Sequence, residues 1–183
     1  MNGPGPLYEE LHAKFGQAVR DGRQDPPFEV VTADRRRLPD VVRYLGEYCG
    51  FESLMDLTAV DYLGFSGAGA PKERFELVYH LLSFSRHRRL RLKVGVPDTD
   101  PSVPSLAGIW SSANWLEREV WDMFGIRFTG HPDLRRILMY GEFVGHPLRK
   151  DYPLGKQQPR VAQLHPGVPP FGKKPLALRE GEE

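Results

Sequence analysis

One cysteine, Cys49, stands in a chain of 183 residues. A single thiol closes no internal disulfide, and alone it cannot hold an iron–sulfur cluster or a cysteine zinc site, which fits a reducing cytoplasmic compartment. An excess of either charge is also missing. Lys and Arg total 25 against 24 Asp and Glu, without the basic surplus of a dedicated nucleic-acid binder. No apolar run approaches the ~20 residues a helix needs to cross a bilayer, so membrane contact is expected only through another subunit. The opening MNGPGPLYEELHAKF lacks a basic start followed by an apolar core, so no signal peptide is expected. Glycine-rich residues 64–71 lack the GK[ST] ending and following helix of a phosphate loop, and there is no internal repeat.

What is present reads as alternating helices and strands. Pro6 can open a helix with Leu7, Leu11, Phe15 and Ala18 on one stripe. Residues 21–27 read as a loop and Phe28 to Thr32 as a strand. Pro39 opens a second helix with Val41, Val42, Leu45 and Tyr48 inward and Gly50 as its stop. Leu54 to Leu63 suits a strand. Two runs, Glu73 to Phe84 and Arg88 to Val96, flank a short connection and predict a hairpin. In the second, Leu90, Leu92, Val94 and Val96 alternate with Arg89, Arg91, Lys93 and Gly95, the period of a strand with one wet face. Residues 97–104 read as a loop. A third helix is expected from about Ser111 to Phe124, with Gly125 ending it. Asn114 and Glu117 have the spacing of a capping box. The expected class is α+β, a mainly antiparallel sheet with helices on one face, in the order α-β-α-β-β-β-α over residues 1–125. Residues 126–154 lose periodicity. Residues 155–183, rich in Pro, Gly, Lys and Arg, form a tail expected to be disordered or wrapped on a partner.

The third helix carries most of the functional signal. On a helical wheel Leu116, Val120, Met123 and Phe124, with Ala113 and Ile109 if the helix reaches back that far, form the stripe facing the sheet. Trp115 and Trp121 fall on opposite flanks. Arg118 and Asp122 face away and can pair at i,i+4, while Glu117 and Glu119 sit at the stripe's edges. Two off-stripe tryptophans among four charges favour a protein interface, where Trp and Arg concentrate binding energy. Beyond the helix, Gly130-His131-Pro132 and Gly145-His146-Pro147 repeat one stiff turn, each followed by Leu and basic residues. His131, His146 and Asp133 could ligate a metal, and two histidines could serve acid–base chemistry. The ligand spacing is wide and no nucleophile motif accompanies them, so the favoured reading is that each histidine ties its own turn. Arg135, Arg136, Arg149 and Lys150 suit a partner's carboxylates as well as phosphate. His80 reads as a satisfied strand residue, and the cluster from Arg86 to Arg91 as a solvated strand face rather than an RNA platform.

The run Glu117-Arg118-Glu119, Asp122 to Gly125, His131 to Leu138 and Gly145 to Leu154 resembles a known signature. It is that of the C subunit, the "30 kDa" subunit, of proton-translocating NADH–quinone oxidoreductase (respiratory complex I). The resemblance is dense over these residues, and the preceding α+β region is compatible with the family. It implies a non-catalytic subunit of the peripheral arm, on the cytoplasmic side of the cell membrane, supporting the quinone-reducing region beside the D subunit. It also implies no cofactor here: FMN, iron–sulfur clusters, NADH and quinone belong to other subunits. The expected signature and interface residues are Trp115, Glu117, Arg118, Glu119, Trp121, Asp122, His131, Arg135, Arg136, His146, Arg149, Lys150 and Asp151, none catalytic and none a metal ligand. Related subunits serve membrane-bound hydrogenase-type complexes, the alternative this resemblance leaves open. A nucleic-acid-binding module resting on the basic hairpin is the reading from another class; it predicts binding that weakens steeply with salt.

Overall fold

The computed structural model describes residues 3–67 and 69–159. Most of the expected tail, from residue 160 onward, lies outside them. A five-stranded sheet in the order β1-β2-β5-β4-β3 organises the rest. The strands are β1 (Val19–Asp25), β2 (Phe28–Ala33), β3 (Ser53–Asp61), β4 (Phe75–Ser83) and β5 (Arg88–Val96), with helices α1 (Pro6–Phe15), α2 (Leu38–Glu47) and α3 (Ala113–Phe124). Neighbours run antiparallel except β2 and β5. The α+β class expected from the sequence is the class found.

Period-two alternation places the core. Leu90, Leu92 and Val94 of β5 lie opposite Leu81, Tyr79 and Leu77 of β4, and all six are buried against the helices. Burying each Leu or Val contributes roughly 1.5–3 kcal/mol. The other face of the sheet is a polar ladder, with Arg91 paired to Asp25, Lys93 to Glu76, and Phe28 stacked on His80. His80 is satisfied there, accepting from Arg91 Nε at 3.1 Å.

Several elements differ from the expectation. Residues 21–27, read as a loop, mostly belong to β1. Its sequence VRDGRQD is rich in residues that avoid strands; only Val19 is buried. Its pairing with β2, broken by a bulge between Arg20 and Arg23, holds it at the sheet edge. Helix α1 ends at Phe15, and Ala18 lies in a 3-10 turn, half-buried. Tyr48, expected inward, is 63% exposed. It falls past the end of α2, stacks on Tyr44, and leaves the core positions to Cys49 and Phe51. Two three-residue strands, β6 (Ser102–Pro104) and β7 (Arg127–Thr129), pair in parallel within stretches expected to be irregular. They are too short to show a pattern.

Candidate functional site: the segment wrapped on helix α3

Helix α3 is buried on two sides. Ala113, Val120, Met123 and Phe124 enter the core as the wheel requires, with Leu116 partly buried beside them and Ile109 ahead of the helix. The side expected to face water is covered by the chain itself, returning through residues 130–149. A wheel shows which side is apolar but not what later chain lies over the other. Asp122 and Arg118 are therefore buried, at 0% and 7% exposure, and do not form the expected exposed pair. Arg118 instead donates from Nε to the Arg135 carbonyl at 3.1 Å, and its guanidinium lies over the Trp115 ring.

Asp122 is the centre of the wrap. Its carboxylate accepts from Arg136 Nη1 at 2.5 Å and from the amides of Ile137, Leu138 and Met139 at 3.1, 2.8 and 2.9 Å. Burial works against the charge. The three amides and the guanidinium outweigh it and hold the carboxyl below the ordinary aspartate range. Arg136 then reaches the carbonyls of Phe143 and Gly145, both at 3.0 Å, and lies over the rings of Trp121 and Phe143. Two side chains thus fix a stretch of backbone, from Ile137 to Gly145, that forms no helix or strand.

The last turn of α3 is closed by the same segment. A helix end leaves its last four carbonyls without internal partners. Here Trp121 O keeps the helix's own bond from the Gly125 amide, while Asp122 O accepts from His146 Nδ1, Met123 O from the Leu148 amide, and Phe124 O from Arg149 Nε. Gly125 takes φ +73°, and a Cβ there would meet His146 Cδ2 at 2.5 Å. Glycine is required both for the backbone angle and for the approach of the ring. Cationic Arg149 and Arg136 at this end also suit the helix dipole.

The two histidines tie their turns, as the sequence reading favours. His131 Nδ1 accepts from the Asp133 amide, so Nε2 carries the hydrogen that reaches Asn114 O at 3.0 Å. His146 reaches Asp122 O at 2.9 Å; burial holds its imidazole below the usual range, and Arg149 and Arg136 push the same way. The carbonyls they meet are about two helical turns apart, so the rings do not converge. Among the described residues no group of three His, Cys, Asp or Glu side chains could hold a metal ion.

Glu117 also departs from expectation. It does not cap its own helix: Ser112 precedes Ala113, and no side-chain capping bond forms. Glu117 is fully buried and accepts from Leu106 N and Ser105 Oγ, both at 2.6 Å. Glu119 and Trp115 are exposed, Trp121 is half-buried, and Arg135 is exposed and paired with Asp133. Lys150 contributes its backbone: its amide donates to Asp61 Oδ2 at 2.9 Å. Asp151 pairs with Arg74, which also binds Asp61 and Asp98. Sequence reasoning missed Asp61, Arg74 and Asp98, since no local spacing connects a strand-end aspartate to an amide 89 residues away. Burial opposes the Asp61 charge, but Arg74 and the amides of Lys150 and Leu63 bring the carboxyl down to about 2.

Outward from this pinned backbone stand Leu138, Tyr140, Val144 and Leu148, each at least 37% exposed. None of the described helices is long and apolar enough to cross a membrane.

The family model for the "respiratory-chain NADH dehydrogenase, 30 Kd subunit" matches residues 31–158. The C subunit of an NADH-quinone oxidoreductase from Geobacter sulfurreducens is 48% identical over 145 residues, 79% of this chain and 86% of that protein. The corresponding C subunit of Roseiflexus sp. (strain RS-1) is 53% identical over 154 residues, 83% of this chain and 85% of its own. Among solved structures, a trypsin-resistant fragment of Nqo5 superposes with TM-score 0.60 at 37% identity, covering 70% of this chain and 96% of the fragment. A chain of a membrane-bound sulfane sulfur reductase, an archaeal respiratory membrane complex, superposes with TM-score 0.65 at 27% identity, covering 81% and 84%.

Proposed function

The chain belongs to the 30 kDa subunit family of respiratory-chain NADH dehydrogenases, and on that premise we propose that it is a non-catalytic peripheral-arm subunit of a proton-translocating NADH–quinone oxidoreductase. Its role is to present the segment 126–154 to a larger neighbour, the D subunit, and so support the quinone-reducing region. The observation that carries this reading is the inversion in that segment. Polar groups turn inward to Asp122 and the end of α3, while Leu138, Val144 and Leu148 are held outward at 52–55% exposure. Apolar side chains fixed outward on rigid backbone lose little freedom when a partner covers them. In this reading Trp115, Glu119, Arg135 and Lys150 meet partners, whereas Glu117, Arg118, Trp121, Asp122, His131, Arg136, His146, Arg149 and Asp151 shape the surface.

The same reading divides the chain into an α+β domain over 1–125, the segment 126–154 and a Pro-, Gly- and base-rich stretch from 155, most of which lies outside the described residues. It assigns FMN, the iron–sulfur clusters, NADH and quinone to other subunits. It puts the chain on the cytoplasmic side of the cell membrane, touching lipid only through the complex, with no role for nucleic acid. The likeness to a chain of an archaeal respiratory membrane complex supports a second reading, an equivalent subunit of a hydrogenase-type complex. Identities of 48% and 53% to C subunits of NADH-quinone oxidoreductases favour the first.

A tagged copy recovered from gently solubilised native membranes separates the readings. Flavin- and cluster-bearing NADH dehydrogenase subunits are expected with it, and hydrogenase subunits in their place would move the assignment. With Leu138→Asp and Leu148→Asp together, the chain should still fold but lose its large partner. Unchanged recovery would sink the docking role of this surface.

A further inference from the structure

Glu117 has no part in the outward surface, and its surroundings are unusual. It is fully buried in the middle of α3, and among the described residues no lysine or arginine pairs with it. Each element packed around it contributes an identifiable group. From residues 105–112, which hold no charged side chain, come the Ser105 hydroxyl and the Leu106 amide, both at 2.6 Å. From the Gly130 turn comes His131, with Nε2 4.0 Å from Glu117 Oε2. Its Nδ1 accepts from the Asp133 amide and its Nε2 serves Asn114 O; the Asp133 carboxylate pairs outward with Arg135. On α3 itself, Arg118 is directed to the carbonyls of Arg135 and Arg136. The remaining groups are Asn114, one turn back on the same helix face, and Tyr79 of β4, whose phenol is raised by burial and by the Glu117 charge. Tyr79 Oη and Asn114 Oδ1 are the two buried side-chain polar atoms without a hydrogen-bond partner among the described residues.

We infer that Glu117 is an internal proton-binding site whose occupancy sets how firmly residues 105–112 are tied to α3. Ionised, the carboxylate accepts two charge-assisted bonds, stronger than their neutral counterparts. When a proton arrives from water, one carboxyl oxygen becomes an O–H donor. Its tie to the Ser105 hydroxyl or the Leu106 amide weakens, because the protonated oxygen is a poorer acceptor than a carboxylate oxygen. Burial pushes the carboxyl up to about 7, against the pull of Ser105 and Leu106, so both states are populated near neutral pH. Asp122, five residues on, shows what this site lacks: a guanidinium and three amides keep that carboxylate ionised.

The test is a pH titration by NMR of the full chain, with glutamate side-chain carboxyls labelled with carbon-13, from about pH 5 to about pH 8.5. The Glu117 carboxyl carbon is expected to titrate with a midpoint near 7. The Leu106 amide proton should move downfield with the same midpoint as pH rises, and Glu117→Gln should abolish that movement. A Glu117 carbon that stays at its ionised position throughout overturns the inference. So does a Leu106 amide that still titrates in Glu117→Gln, which would assign the proton to His131. If Glu117→Gln does not fold, the wild-type carboxyl carbon and Leu106 amide decide alone, by a shared midpoint or its absence.

Discussion

In the sheet, apolar side chains meet one another; between residues 137 and 148 several apolar side chains stand outward while Asp122 and Arg136 hold the backbone from within. Leu90, Leu92 and Val94 of β5 are at 0% exposure, whereas Leu138, Val144 and Leu148 exceed 50%. The sheet and its helices are held by burial, which is non-directional and spread over many contacts. The segment wrapped on α3 is held by a few directional bonds converging on Asp122, Arg136 and Arg74. Damage to the first should be graded, because each side chain carries a modest share. Damage to the second should be abrupt, because two side chains organise the backbone from Ile137 to Gly145.

The sharpest way to break the contrast is Arg136→Ala. It removes the guanidinium on Asp122 and strands a buried charge, which costs about 3–5 kcal/mol. The loss should appear as fast amide exchange at Ile137, Leu138 and Met139, with protection in β4 and β5 retained. Leu92→Ala is the counterpart. It should cost about 2–5 kcal/mol in one global transition, with the segment and sheet losing protection together. If Arg136→Ala lowers β5 protection as much as Leu92→Ala does, the two regions are one cooperative unit and the contrast fails.

Acid probes the Arg74 anchor, at a smaller magnitude. The Asp61 carboxyl is lowered to about 2 in the folded chain. A depressed acid contributes stability that is complete above its unfolded value and is lost as pH falls through the folded one. About 2 kcal/mol should therefore disappear between about pH 4 and about pH 2. Asp61→Asn should flatten that part of a denaturation series, and an unchanged acid slope would remove the anchor from the account. The smallest folding effect belongs to Trp115→Ala. At 63% exposure the ring should change stability within about 0.5 kcal/mol by thermal denaturation, while recovery of partner subunits falls. A large drop in stability would make Trp115 a packing residue instead.

The sequence made the first region legible and the second only in outline. Alternation in β5, the α2 stripe through Val41, Val42 and Leu45, and the turn at Gly125 are local patterns, and they survive in the fold. Strand β1 was hidden because its residues suit a loop, and its pairing supplies what its side chains do not. The Gly-His-Pro turns were visible, and so was the histidines' role in tying them. That Asp122 and Arg118 are buried was not, because amphipathicity reports one apolar side and says nothing of chain that returns to cover the other. The link from Asp61 to Lys150 joins residues too distant for any periodicity to connect.

The closed end of α3 also bears on how the chain is made. Its last four carbonyls are met by Gly125, His146, Leu148 and Arg149, three of which leave the ribosome well after the helix itself. Synthesis delivers the N-terminal part first, so the sheet, α1 and α2 can assemble while the end of α3 is still bonded to water. Arg136 arrives before His146, and His146 before Asp151. The bonds that close the end of α3 and the Arg74–Asp151 pair therefore cannot all be in place until synthesis has passed Asp151.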